Sequence, residues 1–317
     1  MLLNFLCYDR RMRNPTSWLL RESEGVTILD KCTLFLVKVI YLASRILLRL
    51  ALGKKRRDRL YIKQGMDFGL FWNKAFNYLR DGDNTTLLKF RSRKYGYEFC
   101  CRNNKDDFKV MSIHEDEIIE HFILKEGDIV VDIGAHIGLY TIIASKHVGL
   151  KGKVVAIEAE PGNFEILTSN IKLNQLTNVI SLNSAASSKE EKVKLYMPYE
   201  ELGHTKYHSI MLERVGEAGN KFVEVDANTL DNLLPQNGIE KVNWIKIDVE
   251  GAEYEVLKGA TKTLSKSKDI ALLIEIHNLG GINFYQQIID FLRSYGFKIE
   301  FEKSYESGER HVILRKS

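Results

Sequence analysis

The sequence predicts an α/β fold: an open, doubly wound sheet, mostly parallel, ending in an antiparallel hairpin and preceded by a helical and small β N-terminal segment. Three observations predict it. Beyond residue 115, short apolar runs alternate with helix-period segments, the rhythm of strand–helix–strand units. Several of these runs are apolar at almost every position, as strands covered on both faces are. The last two runs bracket Glu306-Ser307-Gly308-Glu309, a hairpin signal.

Taken in order, strands are expected at 129–133, 154–157, 179–182, 244–247 and 270–276, with helices at 139–148, 164–173 and 254–264 between several of them. The closing hairpin pairs 297–301 with 311–314. Such a sheet binds its ligand beyond the carboxyl ends of the strands, where the strand order reverses. Ahead of it, the runs LLKFRSR, YEFCC and FKVMS between residues 86 and 111 are separated by polar turns, which predicts a small antiparallel meander.

At 317 residues, 44% hydrophobic and 28% charged, the chain has a globular composition with room for a sizeable core, which excludes disordered and fibrous classes. Its four cysteines, Cys7, Cys32, Cys100 and Cys101, form no CxxC pair. A zinc module and a secreted disulfide framework are thereby excluded, and a reducing, cytoplasmic setting is expected. The net charge of +4 divides unevenly: residues 1–110 carry 23 Lys and Arg against 11 Asp and Glu, a net of +12, and residues 111–317 a net of −8. Three regions follow: a basic segment 1–60, a helix plus small β extension 61–111, and the α/β domain 112–317.

No run of 18 uncharged apolar residues is present, so a plain transmembrane helix is not expected. In residues 34–52 the apolar sequence is interrupted by Lys38, Arg45 and Arg49, whose spacings of 7 and 4 place them on one helical stripe. Lys54-Lys55-Arg56-Arg57 follows directly. A cationic stripe on an apolar helix suits an anionic membrane interface. The same pattern suits packing against the protein's own core, and the charge alone suits nucleic acid equally. A signal peptide is not expected, because the apolar stretch starts beyond residue 30 and lacks a small-residue cleavage site.

The first predicted strand runs into Val131-Asp132-Ile133-Gly134-Ala135-His136-Ile137-Gly138. Glycines let backbone approach a ligand closely, and the following helix N-terminus favours polar or anionic groups. The dinucleotide fingerprint G-x-G-x-x-G is absent; the spacing is Gly134-x-x-x-Gly138, which argues against NAD. The second strand ends in Glu158, 26 residues after Asp132, where a carboxylate can accept both hydroxyls of a ribose.

The blocks VVDIGAHIGLYTIIAS, KVVAIEAEPGNFEILTSNIKLN and WIKIDVEGAEYEVLKGA resemble the FkbM family of S-adenosylmethionine-dependent methyltransferases, in order from about Asp116 to His277. The resemblance implies a class I methyltransferase (Rossmann-like) fold for 112–317, S-adenosylmethionine as cofactor and a hydroxyl oxygen as acceptor. Carried over, it puts Asp132, Gly134, His136 and Gly138 at the methionine and adenosine-linking part of the cofactor, Glu158 at the ribose, and Asp248 at the cofactor's edge. The family shows Asn where this chain has His136, a residue type that also tolerates unusual backbone angles. The family's E-P-x-P is here Glu158-Ala159-Glu160-Pro161, which keeps the acid and alters the turn.

Methyl transfer to an alcohol needs the reacting atoms in line and a place for the proton. Two strand ends supply candidates, Lys246-Ile247-Asp248-Val249-Glu250-Gly251 and Glu275-Ile276-His277-Asn278. With the strand order the resemblance implies, they are neighbours. The catalytic candidates are His277, Asp248 and Glu275, with His277 or Asp248 removing the hydroxyl proton. In a rival reading Asp248, Glu250, Glu275 and His277 hold a divalent metal that orients a diol. In a third, Glu250 caps the following helix and Glu275 pairs with Lys246. No metal is counted among the expected cofactors. His204 and His208 sit in a polar, glycine-flanked stretch that reads as a substrate-covering loop, and His114 and His121 as surface or packing residues.

The expected activity is O-methylation of a hydroxyl on a sugar, glycan, glycolipid or secondary metabolite. An RNA methyltransferase and an inactive membrane-recruited scaffold are the alternatives; no RNP-like or Asn/Asp-Pro-Pro-Tyr motif supports a nucleic-acid partner. The expected contacts are a small-molecule or glycan acceptor and the cytoplasmic membrane face, the latter through residues 34–57. Full-length chain is therefore expected to co-sediment with anionic liposomes while a chain starting at Tyr61 stays in the supernatant; equal sedimentation of the two assigns the basic helix to the protein's own core.

Overall fold

Val130 and Val131 point to opposite faces of one strand, and both are completely buried. That strand, β3 (Ile129–Ile133), lies inside a sheet covered on both sides. The computed structural model describes residues 87–91, 97–102, 107, 116–196, 222–277, 284–305 and 308–316. Two units are distinguished, Met1–Lys105 and Asp106–Ser317. The basic helix expected at 34–52, the tetrad 54–57, the run FKVMS, and His114, His204 and His208 all lie outside the described residues.

In the first unit β1 (Leu87–Arg91) and β2 (Glu98–Arg102) form an antiparallel pair with Phe90 opposite Phe99, two strands of the expected meander. Phe99, Cys100 and Cys101 are buried, and both thiols are free.

The second unit begins with α1 (Asp116–His121), followed by β3, α2 (Leu139–Val148), β4 (Lys153–Glu158), α3 (Pro161–Leu173) and β5 (Val179–Asn183). Next come β6 (Ala185–Ala186), β7 (Glu191–Tyr196), β8 (Phe222–Asn228), α4 (Leu230–Gln236) and β9 (Trp244–Ile247). The chain closes with α5 (Glu253–Lys258), α6 (Thr261–Lys266), β10 (Ala271–Ile276), α7 (Phe284–Ser294), β11 (Phe297–Ser304) and β12 (Arg310–Lys316).

Seven strands make the central sheet in the order β11-β12-β10-β9-β3-β4-β5. The pairs among β10, β9, β3, β4 and β5 are parallel, and β12 runs antiparallel to both β10 and β11. Strand order therefore reverses at β3, whose neighbours β4 and β9 belong to opposite halves. One face packs Val131, Ile133, Ile245 and Ile274 against Leu230, Val256, Leu264 and Ile288 of α4 to α7. The other packs Val130, Val154 and Trp244 against Ile118 and Phe122 and against Ala144 and Val148 of α2. The strands predicted for the α/β domain all form, and so does the closing hairpin.

Three features differ from expectation. A separate three-stranded sheet, β6-β8-β7, was not foreseen as a unit; its strands lie between residues 185 and 228 and pair across the segment between β7 and β8. Helices α4 and α7 were also missed, although α7 buries Ile288, Ile289 and Leu292 along one stripe. The helix expected at 254–264 is two short helices. At the break, a Cβ on Gly259 would lie 2.0 Å from the Ser187 carbonyl oxygen, so backbone occupies the space a side chain would need. Asp231 of α4 then caps α6 from outside its own segment, accepting from the Lys262 and Thr263 N–H groups, each at 2.8 Å. Among the described residues no helix is long and apolar enough to cross a membrane.

Asp231→Ala removes that cap and leaves two N–H groups of α6 without it. A loss of about 1–3 kcal/mol is expected, the usual cost of abandoned donors, read as a lower urea midpoint at unchanged slope; an unshifted midpoint would show that water replaces the carboxylate.

Candidate active site

Parallel pairing of β3 with β9 sets Asp132 opposite Lys246. The Lys246 ammonium is 3.7 Å from Asp132 Oδ1 and donates to the Gly134 carbonyl at 3.1 Å and to Asp248 Oδ2 at 3.3 Å. Taking an ammonium out of water costs several kcal/mol unless such partners meet it. Asp132 also accepts from the Thr141 hydroxyl of α2 at 2.6 Å. Burial pushes the Asp132 carboxyl above the usual range, opposed by Lys246 and Thr141. Asp132 is 1% exposed. Its place is beneath the glycine loop, where it holds Lys246.

Gly134 has φ 71, and a Cβ there would lie 1.8 Å from the Asp248 carbonyl oxygen. Only glycine lets the ends of β3 and β9 come this close. Gly138, at φ 96, is the N-cap of α2, and a Cβ on it would meet Leu167 of α3 at 2.8 Å. It lets α2 pack closely against α3. His136 takes φ 50, the left-handed backbone that Asn also adopts. The departure from the family residue thus leaves the loop's path intact. The His136 ring lies 3.8 Å from the buried Asp107.

Glu158 ends β4. Its Oε2 accepts the His136 N–H at 2.8 Å, and its Oε1 accepts the Glu160 N–H at 2.9 Å and the Asn163 side-chain amide at 3.3 Å. Burial pushes its pKa up to about 7, against the pull of these hydrogen bonds. The altered turn is sound, since Glu160 caps α3 through the Gly162 and Asn163 N–H groups with Pro161 just inside the helix.

On the other side of the crevice, His277 follows β10. Its Nδ1 donates to Glu253 Oε1 at 2.8 Å, and its Nε2 faces Glu250 Oε2 at 3.2 Å, Glu275 Oε1 at 3.6 Å and Asp248 Oδ1 at 4.0 Å. Burial alone would lower the His277 pKa; Glu250, Glu253 and Glu275 overcome it and push it up to about 10. The expected gathering of Asp248, Glu250, Glu275 and His277 is present. The readings of Glu250 as a cap and of Glu275 as the partner of Lys246 are corrected. Glu250 is buried at φ 53 beside His277, while α5 is preceded by Ala252 with no side-chain cap. Glu275 lies 3.3 Å from His311 on β12, its partner in register.

Glu253 and His311 were missed. Glu253 stands in the DVEGAE block with no role assigned, and only its three-residue offset from Glu250 could have flagged it; His311 becomes visible only through pairing. His121 stacks on Phe301 at 3.9 Å, in keeping with a packing role.

Gly134, His136, Glu158, Asp248 and Glu250 line one cleft. His277 and Glu275 back onto the last two. S-adenosylmethionine, the cofactor the resemblance implies, fits here: a strand-end carboxylate lines the cleft where a ribose would lie, and glycine backbone approaches beside it.

A doubly wound sheet with this cleft at its switch point has the architecture of a class I methyltransferase. The chain belongs to the FkbM methyltransferase family: the Methyltransferase FkbM domain matches residues 132–299, over half of the sequence. It is 32% identical over 165 residues to methyltransferase sdnD of Sordaria araneosa, covering 43% of this chain and 61% of that one. Hexuronic acid methyltransferase AglP of Haloferax volcanii is 27% identical over 186 residues, covering 58% and 71% of the two chains. The 31-O-demethyl-FK506 methyltransferase FkbM of Streptomyces tacrolimicus is 24% identical over 206 residues, covering 57% and 76%.

A Glu158 pKa of about 7 sets a sign for two measurements. Folding stability owed to this group is present below the unfolded pKa of 4.5 and is lost as pH rises through 7. Cofactor affinity moves the other way, because the ionised carboxylate is the better acceptor, and a gain of about tenfold is expected from pH 6 to 8. Calorimetric titration of the wild type and of Glu158→Gln checks it: the variant's affinity should be weaker and flat with pH.

Proposed function

We propose that the chain methylates a hydroxyl oxygen, using S-adenosylmethionine, on a sugar, glycan, glycolipid or secondary-metabolite acceptor. One observation carries the reading: the buried Glu158 and the carboxylate pair Asp248 and Glu250 line opposite ends of a single cleft. The first end suits a nucleoside and the second a group that releases a proton. The names of two relatives support the acceptor class, one acting on a hexuronic acid and one restoring an O-methyl group to FK506.

When bound, S-adenosylmethionine supplies an electrophilic methyl group at a sulfonium. The chain's own residues do the rest. Glu158, Gly134 and His136 hold the nucleoside end and fix its depth. Lys246, through Asp248 Oδ2, keeps the Asp248 carboxylate turned toward the cleft. Asp248, the most exposed of the four clustered side chains, receives the hydroxyl proton. His277, pinned at Nδ1 by Glu253, positions Asp248, Glu250 and Glu275 around its other nitrogen. Positioning supplies much of the acceleration, and the proton acceptor adds about 10²–10⁴-fold.

The test is transfer of labelled methyl from S-adenosylmethionine to a panel of uronic-acid oligosaccharides, polyketide alcohols and tRNA. Label is expected on a hydroxyl, with Asp248→Asn lowering kcat about 10²-fold or more at saturating cofactor. Label on tRNA alone, or an unchanged kcat in the variant, overturns the reading.

A further inference from the structure

His277 Nε2 has one position for a proton or a bond, yet three carboxylates converge on it. Only Glu250, at 3.2 Å, approaches hydrogen-bonding distance; Glu275 at 3.6 Å and Asp248 at 4.0 Å lie beyond it. A protonated ring draws these carboxylates by charge, and the same spacing also suits ligation through a deprotonated Nε2. Donors about 2.1 Å from a common octahedral ion stand about 3.0 Å apart when adjacent and about 4.2 Å when opposed, and the Glu250 and Asp248 separations from Nε2 lie within that range. The candidate donor atoms of Asp248, Glu250 and His277 all lie within 4.8 Å of one another.

The other ring nitrogen supplies a separate argument. His277 Nδ1–H is held by Glu253, which is 1% exposed and does not line this cleft. This orients the ring with Nε2 turned toward the carboxylates, the outer-shell arrangement that orients metal-bound histidines, in which a cation takes the place of the Nε2 proton. Asp248 and Glu250 also line the cleft, so an ion among these donors is reachable by an acceptor.

We propose that Asp248, Glu250 and His277 bind one divalent cation of the Mg²⁺/Mn²⁺ class, and that this ion seats a vicinal diol of the acceptor. Two carboxylates mark a hard-cation site, and the single imidazole favours Mn²⁺ within that class. Three protein donors leave three positions of an octahedron, two of which adjacent hydroxyls fill and one of which water fills. The diol assignment rests on the hydroxyl-methylation reading above; the ion site does not.

Full-length chain stripped with EDTA and titrated with Mn²⁺ alone, followed by the loss of free-ion paramagnetic resonance signal, tests the site. One ion per chain is expected. Glu250→Gln should weaken binding about tenfold or more, and Glu253→Gln, which removes no donor, about 10–100-fold. Circular dichroism melts establish that each variant is folded, and calorimetry with S-adenosylmethionine reports the other end of the cleft. A folded wild type that binds S-adenosylmethionine but takes up no Mn²⁺ overturns the ion site and leaves the methyltransferase reading standing. So does equal Mn²⁺ affinity in wild type and folded Glu250→Gln. Stoichiometric Mn²⁺ binding without S-adenosylmethionine binding does the reverse.

Discussion

The buried ammonium of Lys246 is the constraint on which the site depends. It sits between β3 and β9, where the sheet changes direction, and touches Asp132, the Gly134 carbonyl and Asp248. Each contact belongs to a different task. Asp132 ties the ammonium to α2 through Thr141, Gly134 begins the glycine loop, and Asp248 lines the cleft. Without the lysine, Asp132 would be a buried carboxylate deprived of its cation. The side chain that joins the two halves of the sheet also joins the two halves of the chemistry.

Much of this was legible in the sequence, and the reason is physical. Strands such as Ile129–Ile133 and Trp244–Ile247 are buried on both faces, so their apolar runs are continuous and their bounds stand out. The glycine loop and Glu158 were legible because close backbone approach and a strand-end carboxylate leave residue-type signatures at a fixed spacing. What was not legible depends on pairing or on the space between segments. The break at Gly259 is set by Ser187, and the pairing of Glu275 with His311 by register in the sheet.

The two ends of the cleft solve opposite electrostatic problems. At Glu158 a single carboxylate is buried among backbone donors, and desolvation dominates, so its proton is retained to about neutrality. At His277 the imidazole is equally buried, but surrounding carboxylates dominate and the ring's basicity rises. Similar burial thus yields opposite charge states, decided by the neighbours on each side.

His136 and Glu250, one on each wall of the cleft, both adopt left-handed backbone without being glycine. A conformation of that kind costs of order 1 kcal/mol or more and persists only where the surrounding structure enforces it. The free chain therefore already carries, in its resting shape, part of the ordering cost that a looser site would meet on encountering its ligands. Recognition at these walls should resemble insertion into a rigid mould, with association limited by diffusion and entry and residence time set by the ligand's own contacts.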